Sequence, residues 1–174
     1  MKIIALLMAA LLAGCASHIP QSIREAPPGN PTPAEVRAAP ERFTGSTVRW
    51  GGVVAEVHNR QDDTEVVVVA RELSSDGRPY STNRSDGRFL ARIDGFLDPM
   101  VYDQGREFTV TGTVAGAERR TIGDYEYRYP VVEAEAYYLW EPWRLHRRYD
   151  YSPYDYYDPW YPGLYPWPHR PYYW

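Results

Sequence analysis

Glu107-Phe108-Thr109-Val110-Thr111-Gly112-Thr113-Val114 alternates without a break. Phe108, Val110, Gly112 and Val114 face one way and Glu107, Thr109, Thr111 and Thr113 the other, a period of two that fits a half-buried strand and not a helix. Four further segments share the pattern. Val48 and Trp50 lie on one face, while beyond Gly51-Gly52 the apolar set Val53, Ala55 and Val57 has the opposite parity, which predicts a strand bent at a glycine bulge. Glu65 to Ala70 is nearly all valine; its β-branching favours a strand buried on both faces over a turn of apolar helix. Phe89, Ala91 and Ile93 oppose Leu90, Arg92 and Asp94, and Val132, Ala134, Ala136, Tyr138 and Trp140 oppose Val131, Glu133, Glu135, Tyr137 and Leu139. Turn residues separate the runs at Asn59 to Asp63, Ser74 to Gly77 with Pro79, Ser85 to Gly87, Asp98 to Gly105 and Gly116 to Gly123. Five strands whose edges need closing predict a mainly β domain, a small five-stranded OB-like barrel, with an open β-sandwich as the alternative.

The flanks are of different character. Thr32-Pro33-Ala34-Glu35 fits a capping box with proline at the first helical position, so one short helix is expected over 33–39, ended by Pro40. Ala16 to Pro33 holds five prolines and little apolar content, a composition expected of a solvated spacer. Met1-Lys2, the apolar run Ile3 to Leu12 and Leu12-Ala13-Gly14-Cys15 make an export signal. An apolar run of about ten residues spans only about 15 Å as a helix, half a bilayer core, so a stable transmembrane helix is the poorer reading. The Ala-Gly-Cys ending resembles the bacterial lipobox, which implies cleavage between Gly14 and Cys15 and diacylglycerol on the Cys15 thiol. A free thiol or an intermolecular disulfide is the other use of a single exported cysteine. Neither Ala16 nor Ser17 is the Asp that, by resemblance to lipoprotein sorting rules, holds a lipoprotein at the inner membrane. The chain thus divides into 1–14 signal peptide, 15–32 proline-rich tether, 33–141 β-domain and 142–174 aromatic tail.

Composition narrows the chemistry. Of the 19 basic residues only Lys2 is lysine, and it leaves with the signal, so Schiff-base chemistry and a phosphate-loop lysine are excluded from the mature chain. A net charge of −4 argues against nucleic acid as partner. His18, His58, His146 and His169 are scattered without metal-ligand spacing, there is no Gly-x-Ser-x-Gly elbow and no Gly-x-Gly-x-x-Gly. No cofactor is expected. Glu133 and Glu135, about 7 Å apart on one strand face, have the separation of an acid-base pair, but a solvated face is the simpler reading. Asp94 and Asp98 read as turn acids around Gly95-Phe96-Leu97.

One ligand platform is nameable. Tyr125, Tyr127 and Tyr129 alternate with Glu126 and Arg128 and would present a tyrosine row, of the kind that stacks sugar rings or bases on OB-type faces. Arg88 and Arg92 would stand beside it. The competing reading is a row that packs across strands, with the arginines paired to Asp86 and Asp94. The tail from Pro142 to Trp174 holds nine Tyr, four Trp and seven Pro, too many prolines for a long helix. Three readings of it compete: disorder, folding back on the barrel, or seating at lipid headgroups, where Tyr and Trp keep one wet end.

Several motifs in order resemble one family: Val48-Arg49-Trp50-Gly51-Gly52, Gly87-Arg88-Phe89-Leu90-Ala91, Gly95-Phe96-Leu97-Asp98-Pro99, Tyr102, Gly105-Arg106, Ile122 to Tyr127, Tyr129-Pro130-Val131-Val132 and Tyr138-Leu139-Trp140. Together, behind the lipobox, they resemble the Slp family of outer-membrane lipoproteins over Cys15 to Trp140. The resemblance implies an outer-membrane lipoprotein linked to starvation or stationary-phase stress, with no catalytic residues to carry over. The expected partners are outer-membrane lipid through acylated Cys15 and an envelope protein or peptidoglycan, with the domain on the periplasmic face. The expected function is non-enzymatic envelope contact, the alternative an OB-like module binding glycan or peptidoglycan fragments.

Overall fold

A computed structural model describes residues 18–142. The alternation around Val110 is the first half of the longest strand, β4 (Glu107–Ile122), and the other runs form β1 (Thr47–Asn59), β2 (Asp63–Arg71), β3 (Arg88–Asp94) and β5 (Tyr125–Leu139). They close into a barrel in the order β1-β2-β3-β5-β4, every pair antiparallel except β3 and β5. Closure leaves the OB-like barrel, not the open sandwich, as the architecture, because β4 returns to pair with β1 and no long edge stays unpaired.

The interior is built mostly from the residues whose parity marked them, Val54 being the exception in β1. Val48, Trp50, Val54, Val66, Val68, Phe89, Ala91, Phe108, Val110 and Val132 form one buried cluster, with Trp50 and Phe89 edge to face at 5.2 Å. In β1 the apolar set does not change face at the glycines: Val54, not Val53 or Ala55, is buried in the core, and the change of face comes only beyond Ala55. The register slips between Val54 and Glu56, so Ala55 is the bulge and Val57 turns back to the core. Gly51-Gly52 stays in register. A Cβ on Gly52 would overlap the Val69 carbonyl of β2, so glycine there permits the close approach of two backbones in the tight barrel. A second slip, opposite Thr111 and Gly112, bulges β5 at Glu135 and sends Tyr137 and Leu139 to the core in place of Ala136 and Tyr138.

Gly116 to Gly123 is not a turn. β4 runs through it to a two-residue turn at Gly123-Asp124, and β4 and β5 remain paired out to Ile122 and Tyr125, so residues 115–130 form an arm beyond the barrel wall.

The N-terminal region differs most from its composition. It carries α1 (Gln21–Arg24), α2 (Pro33–Ala38) and α3 (Pro40–Phe43). α2 has the expected capping box: Thr32 Oγ1 accepts from Glu35 N at 3.2 Å and the Glu35 carboxylate from Thr32 N at 2.7 Å. Those Thr32 bonds, first through the backbone N–H, hold the Glu35 pKa below its ordinary 4.5. Pro40 ends α2 and also starts α3, having the φ a first turn needs. Ahead of them residues 20–31 pack on the barrel rather than running free. Ile23 is fully buried, and Arg49 Nη1 donates to the carbonyls of Ile23 at 3.0 Å and Arg24 at 2.6 Å. The Asn30 amide pairs with both backbone groups of Arg49 (2.8 and 3.1 Å), where β2 no longer flanks β1, and Trp50 Nε1 donates to Pro31 O at 2.7 Å.

Candidate functional site

The wall of β2, β3 and β5 is where an OB-like barrel would offer a ligand face. In β3, Arg88, Leu90 and Arg92 point outward; in β5, Tyr125, Tyr127, Tyr129, Val131 and Glu133 do the same. The structure places Tyr127, Tyr129, Arg88 and Arg92 on this one wall, with the two tyrosines packed on each other and the arginine side chains turned to glutamates. The arm curls over this wall. Tyr129, 4% exposed, joins Val67, Leu90 and Val131 in a second apolar cluster, against which Ala55, Ile122 and Tyr127 pack. Tyr127 and Tyr129 meet edge to face at 4.8 Å. The Tyr127 hydroxyl accepts from Arg37 Nη1 at 2.6 Å and from the Arg88 backbone N–H at 2.8 Å, and the Arg37 guanidinium lies over its ring. Of the row only Tyr125, 69% exposed, presents its ring to solvent. Two of the three tyrosines are thus committed to packing.

The arginines are paired, though not with Asp86 and Asp94. Glu65, 1% exposed, accepts a bidentate contact from Arg120 (2.6 and 2.7 Å) and one from Arg60 at 2.8 Å, with Arg92 Nε 3.7 Å away. Arg92 also binds Glu118 on the arm and Glu133 at 3.2 Å, while Arg88 reaches Glu56 at 4.0 Å. Burial alone would lower the Arg92 pKa, but Glu118 and Glu133 outweigh it and the pKa is raised. Desolvation would lift Glu118, yet Arg120 and Arg92 hold it below 4.5. The hydrogen bonds from Arg120 to Glu65 raise the Arg120 pKa further still. Fork-shaped guanidinium groups suit this role, since two parallel N–H donors match a carboxylate. The network straps the arm across the wall.

Glu133 and Glu135 do not act as a pair: Glu133 is held by Arg92, and Glu135, in the bulge, accepts from the Thr113 hydroxyl at 2.9 Å. Asp98 caps its own turn through Met100 N at 2.8 Å. Among the described residues no group of three His, Cys, Asp or Glu is placed to hold a metal, and no helix is long and apolar enough to cross a membrane. The opposite wall, β1 and β4, carries the threonine face that the sequence marks as polar, and it too is covered. Thr109 donates to Gly77 O at 2.8 Å and accepts from Trp140 Nε1 at 2.9 Å, with Ile23 and the 74–78 turn above. A cleft of about 200 Å³ stays open between Asn30, Thr32, Gly51, Arg71, Glu72 and Asp86. Cys15, Gly14 and the aromatic tail lie outside the described residues.

Comparison with known proteins accounts for the motifs. The model of the outer membrane lipoprotein Slp family matches residues 12–174. The chain belongs to that family. The Slp match begins ahead of Cys15 and runs through the aromatic tail, beyond Trp140 where the quoted motifs stop. Among Slp-like relatives, a protein named uncharacterized lipoprotein YeaY, from Escherichia coli K12, is 33% identical over 165 residues, 92% of this chain and 81% of its own. The outer membrane protein Slp of the same organism is 33% identical over 136 residues, covering 75% and 69%. An uncharacterized protein of Haemophilus influenzae is 35% identical over 130 residues, covering 73% and 68%. No solved structure shows a significant match.

Proposed function

We propose that this Slp-family chain is held at the outer membrane by acyl chains on Cys15, after cleavage behind Gly14, and faces the periplasm. There it serves a structural, stress-associated role by contact with the envelope or a partner protein and not by turnover. Leu12-Ala13-Gly14-Cys15 supports the anchor, and two or more acyl chains, at about 0.8 kcal/mol per buried methylene, make it effectively permanent. The observation that carries the contact reading is the double covering of the barrel: the arm occupies one outer wall, and the N-terminal segment with the 74–78 turn occupies the other. A module that spends its own chain on both walls leaves neither wall open as a ligand platform, which favours contact through its surface over binding in a barrel-face site.

Two experiments test this. Replacing Cys15→Ser should move the protein from the membrane to the soluble fraction; an unchanged membrane pellet would count against the anchor. The soluble Cys15→Ser protein, titrated with peptidoglycan fragments while its tryptophan fluorescence is followed, should show no saturable change. A stoichiometric, saturable signal would favour the ligand-binding alternative.

A further inference from the structure

Composition gives residues 15–32 the look of a long tether, yet the chain is fastened to the barrel well before Thr32. The fastening has four parts: the buried Ile23 side chain, Arg49 across the carbonyls of Ile23 and Arg24, Asn30 on the open edge of β1, and Trp50 on Pro31 O. The 74–78 turn closes over α1, and at Gly77 a Cβ would overlap the Ile23 carbonyl oxygen, so only glycine allows that contact. Arg49 is itself 8% exposed. Burial pulls its pKa down while Asp76 opposes the shift, so a desolvated cation is spent on two backbone acceptors. Such a clamp makes α1 a part of the domain.

We infer that the barrel is held on a short leash, with the face around α1 seated against the lipid headgroups of the leaflet that carries the acyl chains of Cys15. From Cys15 to Pro20, whose carbonyl already accepts from Ile23 and Arg24, there are five Cα steps, at most about 18 Å whatever their conformation. A free segment reaching Thr32 would allow roughly 60 Å. The exposed groups around α1 suit a zwitterionic surface. Gln21, Ser22 and Thr47 offer hydrogen bonds, and exposed Arg24 supplies a cation on the same helix as a shallow groove lined by Glu25, Pro27, Pro28 and Glu135. The inference rests on acylation of Cys15, and it names the surface that the contact function uses first: the bilayer itself.

The test places a fluorophore on Thr47→Cys of the acylated, full-length protein in phosphatidylcholine vesicles that carry a headgroup quencher. Thr47 belongs to the barrel yet borders α1, so its distance from the lipid reports whether the domain is held down. Strong quenching is expected. A twelve-residue Gly/Ser insertion between Ile19 and Pro20, adding roughly 20 Å of mean reach, should cut it about threefold. Arg49→Met, which releases the carbonyls of α1, should do likewise. The insertion leaves every barrel residue in place, so it stays informative if Arg49→Met does not fold. Vesicle-bound protein with an unquenched label, or with quenching that the insertion does not change, overturns the leash. Protein that fails to float with the vesicles overturns the Cys15 reading, and the leash falls with it.

Discussion

Replacing Ile23→Ala should destabilise the whole domain, although residue 23 lies in a stretch with the composition of a linker. The Ile23 side chain is fully buried, so truncation removes three carbons from a packed site. Buried Ile→Ala changes cost about 2–5 kcal/mol, the upper range applying where the surroundings cannot relax. α1 is one helical turn on the outside of a barrel and can settle into part of the gap, so we expect about 2–3 kcal/mol. With a urea m value of about 1.5–2 kcal/mol/M for a domain of this size, the midpoint falls by about 1–2 M. Arg49→Met removes the donor to the Ile23 and Arg24 carbonyls, at 3.0 and 2.6 Å, so the two side chains hold the same segment. Once either is lost the other has less to hold. The double variant should therefore lose less than the sum of the singles, by about 1 kcal/mol. Trypsin supplies a local readout: the bond after Arg24 should resist cleavage in the wild type and open in Ile23→Ala. Unchanged midpoints, or wild-type protein cut after Arg24 as fast as a free peptide, would refute the packed segment and return it to the status of a tether.

Three further outcomes follow from the same geometry. Gly52→Ala should cost about 2 kcal/mol or more in urea unfolding, because its Cβ meets the Val69 carbonyl of a paired strand and not a yielding side chain. Tyr127→Phe should cost about 1–2 kcal/mol by leaving the Arg88 N–H and Arg37 without their acceptor, whereas Tyr125→Ala should stay within about 0.5 kcal/mol, both read as thermal midpoints. Glu118 has a folded pKa below its ordinary 4.5 because Arg120 and Arg92 outweigh its desolvation, so its contribution is complete above that ordinary value and is lost as pH falls through the lowered one. Unfolding measured from pH 7 to pH 3 should therefore lose less stability in Glu118→Gln than in the wild type.

The barrel was legible where a pattern is local. The period-two alternation of β4 translates directly into burial, with Phe108, Val110 and Val114 inside. The valine run of β2 is buried on both faces, Val66 and Val68 in the main core and Val67 in the second cluster. The Thr32 capping box was equally plain, since its partners lie within four residues. What was hidden depends on distant partners. Glu118 and Arg120 sit between two glycines and look like a solvated turn, but they are arm residues whose counter-charges, Arg92 and Glu65, come from β3 and β2. The packing of α1 was invisible for a similar reason. Its acceptors are backbone carbonyls, which every sequence has, and only Ile23 among neighbouring polar residues hints at burial. For the candidate platform, the alternation groups the right side chains on one face, but whether that face is open is decided by the arm. Nothing near Tyr127 in the chain announces Arg37, ninety residues away.

The proposed anchoring at the membrane rests on Cys15, and the intact mass of the protein extracted from membranes tests it directly. A chain beginning at Cys15 and carrying the added mass of a diacylglyceryl group with its acyl chains is the predicted result. A chain with an unmodified Cys15 thiol recovered from that fraction would contradict it.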